Sequence, residues 1–309
     1  MLGERQGIRP PQSKNKIMAK YIEIIWGSYS GYFNYLLSEI LNPSWHNYFY
    51  WLLGLSLLVW SLEIIFPWRK NQGAIRHDFW IDVFYMFFNF FLFSLVAYNA
   101  ISNVGVQLFN DFLGLFGIRN LVAINVAALP AWTQLLILFI VRDFVQWNVH
   151  RLLHTIPWMW EVHKLHHSIE EMGFAGHLRY HWMENVIYRT LEYIPLAMIG
   201  FGIQDFFIVH IFTLAIGHLN HANIYLPLGP LKYILNSPQM HLWHHAEELP
   251  KGKEKGVNFG ITLSLWDYIF GQSYLPKEDA SIRLGFENLS KYPKTFYSQL
   301  IYPWWKKQN

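Results

Sequence analysis

The chain has 309 residues, 53% hydrophobic, 18% aromatic and only 15% charged. That is too apolar for disorder and well below the roughly 25% charge of soluble domains, so it points to a membrane protein. There is no cysteine, which excludes disulfides, thiolate haem, cysteine-ligated iron–sulfur clusters and thiol nucleophiles; any metal must be held by nitrogen or oxygen. A net charge of +3 without a long basic run argues against nucleic acid as a partner.

Residues 1–20 carry Arg5, Arg9, Lys14, Lys16 and Lys20 against Glu4 alone and read as a basic, cytosol-facing arm. Membrane helices are expected over 21–142. Residues 21–41 fit a short span or an interfacial helix, and 48–66 fit a full span. Pro67-Trp68-Arg69-Lys70 forms an aromatic and basic border that the positive-inside tendency puts on the cytoplasmic side. Residues 80–104 cross back, 105–130 connect on the far side, and 131 to about 154 return the chain. The apolar stretches 194–203 and 206–216, split by Gln204-Asp205, are each too short to span, and predict a re-entrant hairpin over about 190–221. The catalytic region is placed at 143–275 and a tail at 276–309. The fold class expected is all-α: a multi-pass membrane helical bundle with a cytosolic helical cap carrying the histidines.

All of the 15 histidines except His46 and His77 lie between His150 and His245. Three patterns stand out: His150-x-x-x-His154, His163-x-x-His166-His167 and His241-x-x-His244-His245. On a helix, positions i, i+3 and i+4 share a face, so each pattern aims its imidazoles one way. One such triple is expected by chance at roughly a few per cent, and two together at well under about one per cent. Eight imidazoles exceed what one ion takes, so two metals sharing them, each with an open position, fit better. Imidazole accepts zinc, copper, iron and nickel alike. The setting argues for iron: attack on a lipid C–H bond where helices leave the membrane requires oxygen activation by a redox metal. No His-Glu-x-x-His occurs, so zinc-protease chemistry lacks its base.

The series His150-Arg151-x-x-His154, His163-x-x-His166-His167-Ser168, His221-Ala222-Asn223, Pro238-x-x-His241-x-x-His244-His245, Asn258-Phe259-Gly260 and Trp266-Asp267-x-x-Phe270-Gly271 resembles the fatty acid hydroxylase and sterol desaturase superfamily of integral-membrane di-iron enzymes. The resemblance covers roughly 143–271. It implies two iron ions (Fe2+) at the cytosolic helix ends, where a lipid is hydroxylated or desaturated with O2 and two external electrons. Carried over by position, the implied ligands are His150, His154, His163, His166, His167, His221, His241, His244 and His245. His218, three residues before His221, is a further candidate. Arg179-x-His181-x-x-Glu184 resembles the family's Arg-x-His-Pro-x-Glu segment with Trp182 in place of proline; His181 is either a ligand or a partner of one, and His177 pairs with it at i, i+4. Asp143 shares a helical face with His150 and His154 and is read as an acceptor that orients a ligand imidazole, with Asp267 as a second candidate. His210 reads as another such partner or as a packing residue.

No Gly-x-Gly-x-x-Gly follows a strand and no His-Pro-Gly-Gly haem segment is present, so a separate electron donor is implied: a cytochrome, a ferredoxin or a reduced pterin. The Lys251–Lys255 loop reads as a surface loop that could meet an acidic carrier. The histidines would face the cytoplasm from a bacterial inner membrane or, in a eukaryote, the endoplasmic reticulum. The alternative readings are a membrane electron carrier, which would need histidines facing each other across the bilayer, and a metal-binding or transport protein without oxygenase activity.

Overall fold

The computed structural model describes residues 14–118, 122, 126, 128–201, 203–276 and 281–304. The start of the basic arm (1–13) and two pieces of the tail (277–280 and 305–309) lie outside the described residues. Among the described residues every regular element is helical and there is no strand, only isolated bridges such as Leu235 with Leu263. The helices are α1 (Lys14–Leu41), α2 (Tyr48–Ile65), α3 (Phe79–Phe87), α4 (Asn99–Leu115), α5 (Ala131–Thr155), α6 (Pro157–His167), α7 (Trp182–Met198), α8 (Ile203–His221), α9 (Pro238–His244), α10 (Leu265–Ile269) and α11 (Phe296–Ile301). They fall into two compact units, Met1–Leu41 with Phe91–Arg119, and Asn42–Phe90 with Asn120–Asn309.

In the first unit α1 runs antiparallel to α4. Lys20 Nζ meets Asp111 Oδ2 at 2.9 Å near one end, and Tyr29 donates to the Val96 carbonyl at 2.9 Å nearer the other. Asp111 also accepts from Gln107 at 2.8 Å. This pairing neutralises the charge that marked an end of the span, in a stretch that is helix and not the expected connection, and it puts Lys20 and Asp111 at the same level, against the expectation of a cytosol-facing arm and a far-side 105–130. Met18, Ile22 and Trp26 of α1 stay exposed.

Among the described residues two helical runs are long and apolar enough to cross a membrane, Tyr48–Ile65 and Phe79–Leu115. The second widens into two π-helical turns, Phe88–Leu92 and Ser94–Tyr98. α5 has the length, but Arg142, Asp143 and Gln146 interrupt it. These groups are spent on neighbouring helices: Arg142 Nη1 donates to Thr213 Oγ1 at 3.1 Å, and Gln146 Nε2 donates to Glu192 Oε1 at 2.7 Å. The break between α7 and α8 falls after Met198, where Gly200 takes φ +80°, and not at Gln204-Asp205, which belong to α8.

The second unit holds every histidine from His150 to His245. Thr155-Ile156 ends α5, and Pro157, whose missing N–H costs nothing at the first helical position, starts α6. This corner lets the imidazoles of one helix face those of the next. α9 begins the same way: Pro238 follows Ser237, whose side chain accepts from the Met240 amide at 3.2 Å as an N-cap. So short a helix is marginal alone, and this cap fixes where His241, His244 and His245 project.

Candidate metal centre

Nine imidazoles converge in two groups. His150, His154, His163, His167 and His244 form one, with ligand-capable atoms all within 4.8 Å of one another; His166, His221, His241 and His245 form the other by the same measure. α5 supplies only the first group and α8 only the second, while α6 and α9 supply both. The i+3/i+4 offset explains the split: His163 and His167 point one way and His166 the other, as do His244 on one side and His241 and His245 on the other. The groups abut, His167 and His245 rings lying 4.4 Å apart.

Most of these rings are tied back by Nδ1. His150 reaches the Phe259 carbonyl at 2.7 Å, His244 the Val257 carbonyl at 2.7 Å, His166 the Arg179 carbonyl at 3.1 Å and His221 the Gly217 carbonyl at 2.9 Å. His163 Nδ1 meets Glu184 Oε2 at 2.8 Å. Carbonyls only accept, so in those four rings Nδ1 carries the proton and Nε2 presents a lone pair; Glu184 sets His163 the same way when ionised, against a burial that pushes its carboxyl well up. In the first group His150 Nε2 faces His163 Nε2 at 3.2 Å; in the second His221 Nε2 faces His166 Nε2 at 3.3 Å. Lone pairs opposed at that distance repel unless a cation lies between them. Burial, reinforced by neighbouring imidazoles, pushes His166 down to about 3 and His163 well below the usual histidine range, so a proton does not fill the role. Nitrogens held at about 2.0–2.1 Å from one ion stand about 3.0–3.4 Å apart. The contacts His167–His154 at 3.1 Å, His241–His221 at 3.0 Å and His245–His241 at 3.2 Å fall in the same range. His244 Nε2 is buried with no hydrogen-bond partner. The donor set fits metal ions.

The remaining sequence candidates lie outside both groups. His218 Nε2 is 3.2 Å from Ser56 Oγ, and its Nδ1 is 3.1 Å from His177 Nδ1. His177 fits because Gly217 has no side chain; a Cβ there would strike the imidazole. His181 has both nitrogens engaged, Nδ1 accepting from the Met183 amide at 3.2 Å and Nε2 donating to the Leu300 carbonyl at 3.0 Å. His210 packs against the stacked rings of Tyr48 and Phe90.

Neither aspartate touches an imidazole. Asp143 Oδ2 accepts from Trp266 Nε1 at 2.8 Å and Oδ1 from the Leu263 amide at 3.4 Å. Asp267 Oδ1 accepts from Trp147 Nε1 and the Phe259 amide, each at 2.9 Å, and Oδ2 from the Gly260 amide at 2.8 Å. Burial pushes Asp267 up to about 6 against the pull of these donors. The aspartates therefore act one step away, bracing the loop whose Phe259 carbonyl holds His150. Asn258, at φ +51°, supports the same loop by donating to the Met240 carbonyl at 2.8 Å. Spacing could not reveal these partners, because the acceptors are mostly backbone carbonyls contributed by distant loops.

Comparison with known proteins agrees with this geometry. The fatty acid hydroxylase family matches residues 135–272, the stretch from within α5 to just past α10. These findings support placing this stretch in the fatty acid hydroxylase and sterol desaturase superfamily. An ornithine lipid hydroxylase of Rhizobium tropici is 25% identical over 96% of this chain and 88% of its own length. Alkylglycerol monooxygenases of Xenopus tropicalis and Homo sapiens are each 33% identical, over 48% and 43% of this chain; the chain spans only 32% and 29% of their lengths. No solved structure matches. Lipid hydroxylases and monooxygenases thus stand among this chain's relatives, and its histidine groups suit an enzyme that uses metal and oxygen.

Proposed function

We propose that this protein is a membrane-embedded, O2-dependent hydroxylase of an unactivated C–H bond in a lipid, with one iron ion in each histidine group. The observation that carries the reading is the pair of inward-facing Nε2 lone pairs in each group, set by Nδ1 atoms already committed to acceptors. Bound iron would supply the redox chemistry with dioxygen that an unactivated carbon requires. His150, His154, His163, His167 and His244 would hold one ion, and His166, His221, His241 and His245 the other. The chain's own contribution is to keep these imidazoles neutral and oriented, to exclude water by burial, and to present the lipid from the bilayer.

The apolar runs α2 and α3–α4, with α5 and the α7–α8 hairpin, support a multi-pass arrangement: basic arm 1–20, membrane helices 21–142, catalytic region 143–275 and tail 276–309. The Trp68-Arg69-Lys70 border supports a cytoplasmic histidine cap. Electrons would come from a separate carrier such as a cytochrome, ferredoxin or reduced pterin. Hydroxylation is preferred to desaturation because the relatives are named for hydroxylation, and ornithine lipid is the first substrate to try because the relative matched over nearly the whole chain acts on it by name.

The test is comparative lipid mass spectrometry of cells with and without the intact gene. The reading expects a lipid that gains one oxygen only when the protein is present. Lipid profiles that do not differ, or a change of two hydrogens alone, would count against hydroxylation.

A further inference from the structure

Of the five Nδ1 anchors described above, four are neutral carbonyls and one is a carboxylate. Glu184, in the first turn of α7, is 2% exposed. Its two oxygens are divided between two donors: Oε2 takes His163 Nδ1 at 2.8 Å and Oε1 takes the His181 amide at 3.3 Å. His181 is fixed in turn by the C-terminal segment. Its Nε2 donates to the Leu300 carbonyl at 3.0 Å, the same carbonyl accepts from Trp182 Nε1 at 2.9 Å, and Trp304 covers the His181 ring at 5.5 Å between centroids. The segment is itself strapped down: Tyr85 donates to Gln299 Oε1 at 3.0 Å, and Tyr302 donates to Glu161 on α6. A continuous line of hydrogen bonds therefore leads from α11 to a ring of the first histidine group and ends there on a carboxylate; the line that reaches the second, from Asp78 and Asp82 through the Arg179 guanidinium, ends on a neutral carbonyl, that of Arg179 against His166 Nδ1.

We propose that Glu184 is the positioning residue for His163, and that the strap from α11 to Trp304 keeps Glu184 in place through His181. The inference rests on the reading of the first group as a metal site. A buried carboxylate behind a ligand imidazole fixes the ring and raises its basicity, and loss of such a partner typically weakens metal binding about 10–100-fold. Glutamine at 184 keeps the shape but can accept through only one atom, so one of the two donors must face an amide N–H. His163 and the His181 amide cannot both be satisfied.

The test measures metal per chain and the rate of metal loss to a chelator in the detergent-purified protein, for wild type, Glu184→Gln, Glu184→Ala, His163→Ala, the Glu184→Gln/His163→Ala double variant and His181→Phe. Glu184→Gln should weaken one metal equivalent about 10–100-fold and leave the other as tightly held as in wild type. The double variant should lose no more than His163→Ala alone, because Glu184 acts through that ring. His181→Phe, which keeps the ring but removes the donor to Leu300, should speed loss of the same equivalent by a smaller factor. Helical content and melting temperature separate misfolding from metal loss, and the near-isosteric Glu184→Gln decides if Glu184→Ala does not fold. Wild-type metal retention in Glu184→Gln, or added loss in the double variant, overturns the proposal. If His163→Ala itself keeps both equivalents, the metal reading of the first group fails instead.

Discussion

The two histidine groups share α6 and α9 yet are held differently. In the first, His150, His163 and His244 each have Nδ1 secured, one by a carboxylate and two by loop carbonyls. In the second, His166 and His221 are secured, while His241 and His245 have buried Nδ1 atoms with no hydrogen-bond partner among the described residues. Three of the five rings in the first group are thus fixed by hydrogen bonds from outside it, against two of the four in the second, where the other two are held by packing around α9. The contrast teaches that one ligand pattern repeated in sequence need not give two equivalent sites, because the acceptors behind the rings come from separate parts of the chain: the 257–259 loop, α7, the Arg179 carbonyl and α8 itself.

The largest expected effect separates the groups directly. His244→Ala should empty the first site and His166→Ala the second, each cutting lipid turnover by more than about 100-fold, beyond the range for outer partners. Metal analysis with a lipid product assay checks this. Retained metal and turnover in both variants would break the assignment. A smaller effect, about 10–100-fold in metal affinity, is expected for Asp267→Asn, which takes one acceptor from the loop holding His150. It should weaken the first equivalent before the second, and a chelator competition reads the order.

The pH response follows from the buried neutral rings. His166 lies at about 3 in the folded chain against an ordinary 6.5, and the other cap imidazoles are shifted the same way by burial. As pH falls below 6.5 the unfolded chain takes up protons that the folded chain does not, so metal-free protein should be most stable above that value and lose stability progressively down to about 3. Denaturant melts across that window test it; a flat profile would mean the rings are charged or exposed. The smallest effect is Ser237→Ala, costing about 1 kcal/mol by loss of the α9 cap. Because α9 feeds both groups, this variant should loosen both metals alike, sharpening the contrast with Asp267→Asn.

Much of the site was legible because helical periodicity turns spacing into direction. The two His-x-x-His-His triples and the His150/His154 pair announce converging rings, and the resemblance they carry added His221. Spacing was expected to aim each triple one way, whereas i and i+4 join one group and i+3 the other; what it does not encode is which group each receives, since that depends on the corner at Pro157 and the cap at Ser237. Asp143 and Asp267 were expected to touch imidazoles and instead brace the 258–267 loop, because indole and amide donors lie closer to them. The helices were legible where apolar length decides them, as in α2. They were not where a cross-helix pair such as Lys20–Asp111 cancels a charge that looked like an end, or where the hairpin turned at Gly200 and not at the polar pair after it.

The central claim is that the two groups hold two iron ions. Elemental analysis of active, detergent-purified protein, read with its absorption spectrum, tests it most directly. The account predicts two iron atoms per chain and no Soret band, whereas active protein that contains no transition metal, or that carries haem, would contradict it.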